Sequence, residues 1–134
     1  MNIRRDKYIL SDNKELLDIE AVYKMLSETY WASNRTKKTI EKSIEDSLCF
    51  GVYIDEKQVG FTRVVTDGAT FSWICDVIID KAYRGEGLGK WMMSHVVVHD
   101  KIKNTRQLLA TKDAHGLYEK YGFLPKECMV RKHD

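Results

Sequence analysis

The stretch over residues 70–93, "TFSWICDVIIDKAYRGEGLGKWMM", sets the tightest limit on the fold. An apolar, β-branched run ends at Ile79, three glycines follow at 85, 87 and 89, and a helix-like apolar segment starts at once. An uninterrupted apolar run reads as a strand covered on both faces. Glycine at this density costs chain entropy on folding, so a special backbone conformation or a close approach must require it. Strand, glycine turn and helix in this order leave backbone N–H groups free beside the positive end of a helix dipole. The stretch is either a tight turn or an anion cradle.

Spacing discards two nucleotide loops. A dinucleotide fingerprint beginning at Gly85 needs glycine at 90, where Lys90 stands. An NTP loop ending at Gly89-Lys90 needs glycine at 84 and Ser or Thr at 91, where Arg84 and Trp91 stand. What remains is Arg84-x-x-Gly87-x-Gly89. A planar guanidinium beside amide donors suits the several oxygens of a pyrophosphate.

The rest of the chain reads as alternating elements. A strand is expected over residues 5–10. Leu16, Ile19, Val22, Tyr23, Leu26 and Tyr30 recur at helical spacing over 15–30. Thr36 is placed to cap a second helix running to about 47. "LCFGVYI" (48–54), "QVGFTRVV" (58–65) and residues 70–79 read as three consecutive antiparallel strands joined by turns at "DEK" and "TDGAT". A helix over 88–101, a strand over 106–111, a helix over 114–121 and a short closing hairpin are expected to follow. The hairpin would run 123–124, turn at Pro125, and return over 128–132. The order predicts a mixed α/β sheet, mostly antiparallel, with about four helices on its faces.

Composition narrows the function classes. With 134 residues, 43% hydrophobic and 31% charged, residues 1–134 read as one globular domain. A formal charge of +2 without runs of like charge argues against a nucleic acid or membrane surface as partner. Cys49, Cys75 and Cys128 are widely spaced and lack a C-x-x-C pair, so reduced thiols and no metal are expected. The first residues carry no apolar signal core, and cytoplasmic residence is the default expectation.

Arg84-x-x-Gly87-x-Gly89 at a strand-to-helix junction resembles the R/Q-x-x-G-x-G/A signature of the GNAT superfamily of acyl-CoA-dependent N-acetyltransferases. "LLATKDAHGLYEKYGF" (108–123) is similar to that superfamily's later motif, a strand leading into a helix ending "LYEKxGF". "LCFGVYIDEKQVGF", "RVVTD" and "DAHGLY" resemble a compact bacterial branch of it. The resemblance implies the GNAT fold, acetyl-CoA as co-substrate, and direct attack of a primary amine on the thioester. The acceptor would be a small molecule or a protein amino group. A non-catalytic acyl-CoA-binding module is the competing implication.

Residue by residue, the resemblance implies a bulged strand splayed from its neighbour, with pantetheine in the gap. Val77, Ile78 and Ile79 would offer main-chain contacts. Arg84, Gly85, Gly87, Leu88, Gly89 and Lys90 would hold pyrophosphate, though Lys90 also reads as a solvated helix lysine. Tyr118 matches the tyrosine that often protonates the leaving thiolate, and also fits a core aromatic. Asp76 has three readings: a base acting through water, an anion for the acceptor, or a partner for a nearby arginine such as Arg63. Strict alternation puts it opposite Trp73, Cys75 and Val77, and a bulge would shift that parity. Glu28 is a second base candidate and reads better as a surface glutamate. Tyr30, Trp31, Arg35 and Trp73 are the expected acceptor contacts, where either aromatic of the first helix also fits simple packing, as does Trp73. His115 fits a cap, an acceptor contact or a structural role. The shortened closing hairpin leaves one side of the acceptor site open or completed by a second copy, so a homodimer through edge strands is a further expectation.

Overall fold

The computed structural model describes residues 1–132. Where a single first strand is expected, β1 (Asn2–Arg5) and β2 (Tyr8–Ser11) form a hairpin, with Arg5 opposite Tyr8. Asp6 makes the turn at φ +53. Asparagine and aspartate tolerate this left-handed conformation better than other side chains, which hides the turn from a search for glycine.

The expected first helix splits into a 3-10 turn at Lys14–Leu16 and α1 (Ile19–Ser27). Asp18 competes for the chain by capping α1 through the Ala21 amide at 3.2 Å, so helix starts there and not at Glu15. Thr36 caps α2 (Lys37–Glu45) through the Thr39 amide at 3.1 Å, as its position predicts.

Next come β3 (Leu48–Ile54), β4 (Lys57–Thr66) and β5 (Phe71–Ile79), then α3 (Leu88–Val96), β6 (Arg106–Leu108) and α4 (His115–Glu119). The last four elements include three shorter than expected. After Val96, the His99 ring accepts the Lys101 amide at 3.1 Å and diverts the chain from helix. The closing hairpin is absent, since residues 123–132 carry no strand. Pro125 donates no ladder hydrogen bond, and a three-residue β6 offers little edge to extend.

The sheet runs β1 to β6 in chain order, antiparallel except for the β5–β6 pair. Both faces are covered, which explains the uninterrupted apolar runs. Phe50, Val52, Val64 and Ile74 pack with Leu88, Met92, Met93 and Val96 of α3. Cys49, Phe61 and Ile78 pack on the other face with Val22, Leu26, Ile40 and Ile44 of α1 and α2.

Two irregularities in β5 shape the site. Gly60 and Phe61 pair with Ile79 and Ile78, whereas Arg63 pairs with Cys75, so Asp76 and Val77 together oppose Thr62. This is a β-bulge, and Asp76 occupies it at φ +54. The bulge overturns strict alternation: Asp76 turns to the α1–α2 side and meets Arg63, the residue opposite Cys75. Second, β6 pairs with β5 only at Phe71, Ser72 and Trp73. Among the described residues no strand covers that edge of β5 over residues 74–79.

Candidate active site

The open edge of β5 leads directly into the glycine loop. Gly85 and Gly87 sit at φ +90 and +76, a region costly for residues with a Cβ. Gly89 has no such demand, and a Cβ there would stand 3.8 Å from the Ile79 side chain, an ordinary contact. Gly87 opens α3 without a side-chain cap, and the first intrahelical bond runs from the Trp91 amide to the Gly87 carbonyl at 3.0 Å. The amides of Leu88, Gly89 and Lys90 thus have no helical acceptor. Arg84 donates from Nε to the Ile79 carbonyl at 2.9 Å, tying the loop to the end of β5, while its terminal nitrogens make no hydrogen bond among the described residues.

The hairpin β1–β2 braces this loop from behind. Arg5 donates to the carbonyls of Glu86 (2.7 Å) and Gly87 (3.4 Å), and its guanidinium lies 5.3 Å from the centre of the Trp91 ring. In a trans peptide the N–H points away from the C=O. Drawing the Glu86 and Gly87 carbonyls to one side therefore turns the Gly87 and Leu88 amides to the other. Tyr8 donates to Glu86 Oε2 at 2.7 Å, and that bond, with burial, pushes the Tyr8 phenol up to about 12. No local sequence signal points to Arg5 or Tyr8, because their partners lie about eighty residues away.

At the bulge, Asp76 is the hub of a buried network. Its Oδ2 accepts from Arg35 Nη1 (2.7 Å) and Arg63 Nε (3.0 Å), and its Oδ1 accepts from Trp31 Nε1 (3.1 Å). The Asp76 side chain is 1% exposed. Arg63 also donates to Ser47 Oγ at 3.2 Å. Arg63 is thus the arginine that holds Asp76 within the sheet, while Trp31 and Arg35 reach it from the segment between α1 and α2. Trp31 remains 42% exposed and Tyr30 63%, in edge-to-face contact at 5.0 Å. Lys112, after β6, lies 5.4 Å over the Tyr30 ring, so the two sides of the site meet here.

Tyr118 faces the same region. Its ring packs against the α3-side core and edge-on to Phe123 at 6.1 Å, and its hydroxyl has no partner among the described residues. Burial raises the phenol above its ordinary value, with Asp113 and Tyr30 adding to the effect. Tyr121 donates to the Lys90 carbonyl at 2.8 Å, which sets α4 beside the first turn of α3. Trp73, His115 and Tyr118 line an open cavity of about 790 Å³ between β6, α4 and the C-terminal segment. His115 does not cap α4: the Ala114 amide is held by Thr111 Oγ1 at 2.9 Å. Glu28 pairs with Lys81 at 3.4 Å on the surface, away from this network.

A family model described as an acetyltransferase (GNAT) domain matches residues 45–125, from the end of α2 past α4. The chain belongs to the GNAT acetyltransferase family. This GNAT chain is 39% identical to a solved protein of Xanthomonas campestris pv. campestris described as belonging to the GNAT family, with a TM-score of 0.89 over 94% of this chain and 93% of the other. It is 31% identical to the uncharacterized N-acetyltransferase ycf52 of Pyropia yezoensis, over 86% of this chain and 69% of that one. A GNAT family acetyltransferase from Elizabethkingia anophelis, solved with acetyl-CoA bound, shares the fold at a TM-score of 0.70 and 16% identity, over 92% and 80% of the two chains. The fold expectation, a mixed and mostly antiparallel sheet with four helices, is met. Among the described residues no cluster of metal-ligating side chains occurs, and no helix is long and apolar enough to cross a membrane.

Proposed function

We propose that this acetyltransferase moves an acetyl group from acetyl-CoA to a primary amine. The observation that carries the reading is the uncovered β5 edge over residues 74–79, which runs into a loop of unsatisfied amides. Pantetheine has amide groups that suit the backbone of Val77, Ile78 and Ile79. The amides around Gly85, Gly87, Leu88, Gly89 and Lys90, with Arg84, suit pyrophosphate. Bound acetyl-CoA supplies an activated acyl carbon.

The chain's own residues then have three tasks. The β5 edge and loop orient the thioester. Tyr118, kept protonated by its raised pKa, donates a proton to the sulfur as the carbon–sulfur bond breaks, and its phenolate regains the proton that the nitrogen sheds after the carbon–nitrogen bond forms. Asp76 already accepts three hydrogen bonds and is shielded from solvent, so it holds Trp31 and Arg35 in place, while water takes the proton lost by the attacking ammonium. Tyr30, Trp31, Arg35 and Trp73 face the acceptor. The protein acts in the cytoplasm, and a second copy docks through edge strands; sedimentation as a monomer at micromolar concentration would remove that docking.

Calorimetry with coenzyme A, followed by thiol release in the presence of amines, tests the function. Gly87→Asp should weaken coenzyme A binding by straining the loop backbone at φ +76 and drawing Arg5 off the loop carbonyls behind it. Undiminished binding by that variant would sink the loop assignment.

A further inference from the structure

The acceptor end of the site carries a surplus positive charge on a side chain with unused donors. Arg35 and Arg63 share one carboxylate, Asp76, so one guanidinium charge is not offset within the network. On the facing segment Lys112, which lies 5.4 Å over the Tyr30 ring, is followed by Asp113 of opposite charge. Arg63 is 14% exposed and bonded to both Asp76 and Ser47. Arg35 is 28% exposed, and only its Nη1 is engaged. Its Nε and Nη2 form the side-on edge of the guanidinium fork, the pair that grips a carboxylate with two parallel bonds. The bond to buried Asp76 fixes the guanidinium. Trp31, bonded to the same carboxylate, and Tyr30 stand beside it as exposed aromatics.

Resting on the transferase reading above, we infer that the acceptor is a small amine that also bears a carboxylate, held by the free edge of Arg35. The Tyr30–Trp31 pair packs along its carbon stem. A diamine or polyamine meets Arg35 with a second positive charge at that end and is disfavoured.

The test compares acceptors of equal length and opposite distal charge at saturating acetyl-CoA. Glycine, β-alanine, 4-aminobutyrate and 6-aminohexanoate are paired with α,ω-diamines of the same length. The best acid should exceed its matching diamine in kcat/KM by at least about tenfold. Arg35→Met should bring that ratio close to one, chiefly by raising KM for the acid. Arg35→Lys, which keeps the charge, should retain part of the preference and serves if the methionine variant is unstable. Diamines equal to or better than acids at every length would overturn the inference. So would an unchanged ratio in folded Arg35→Met, or bound coenzyme A with no acid acetylated. Loss at an earlier step, with no coenzyme A binding by the unaltered chain, would instead bring down the transferase reading.

Discussion

Gly89→Ala separates what the glycine loop does for the fold from what it does for a ligand. Gly89 is the second residue of α3 and has an ordinary helical backbone, and its new methyl would meet only Ile79 Cγ1 at 3.8 Å. Replacing glycine by alanine within a helix stabilises by about 0.5–1 kcal/mol, because alanine leaves less chain entropy to lose. For a domain of this size that is a rise in melting temperature of roughly 2–4 °C. The same methyl meets only Ile79, and the R/Q-x-x-G-x-G/A signature admits alanine at this position, so the first-turn amides stay open to phosphate. Coenzyme A affinity should change by less than about threefold. Thermal unfolding and calorimetry on one preparation read both effects. Tighter folding with nearly unchanged binding is the expected pair. A fall in melting temperature would refute the backbone description, and a loss of about tenfold or more would show that phosphate packs against the Gly89 Cα.

Three further variants address the other parts of the site. Tyr118→Phe should lower kcat by about 10–100-fold with little change in coenzyme A affinity. The unaltered enzyme should lose rate only above the ordinary tyrosine value near 10, since burial raises the phenol; that alkaline limb should vanish in the variant, and its persistence would assign it elsewhere. Arg5→Met frees the carbonyls behind the loop and should raise KM for acetyl-CoA roughly three- to tenfold at constant kcat; steady-state kinetics showing no change would deny the brace a role. Asp76→Ala leaves Arg35 and Arg63 without their carboxylate and should cost about 3–5 kcal/mol in urea unfolding, and a loss below about 1 kcal/mol would contradict the buried network.

Local chemistry made much of the fold legible before any coordinates. Thr36 announces α2 because capping acts across three residues, and Leu48–Ile54 reads as β3 because its apolar run is bounded by a turn. The loop from Arg84 to Lys90 is equally local, so its spacing alone discarded two nucleotide motifs. The β1–β2 hairpin was missed because aspartate made the turn that glycine usually makes. The short β6 and strand-free C-terminal segment escaped as well, since apolar pattern does not tell whether a neighbouring edge is available to pair.

What the chain's order of residues determines by itself is therefore α2, the three central strands and the glycine loop, all consequences of interactions within a few residues. Only the tertiary structure decides the network around Asp76. The bulge reverses the facing of Asp76, and the sheet then brings Arg63, thirteen residues away, and Arg35 and Trp31, more than forty away, onto one carboxylate. Arg5 reaches the loop in the same way. Such contacts depend on register and on strand order, and around Asp76 burial makes the loss of a partner costly.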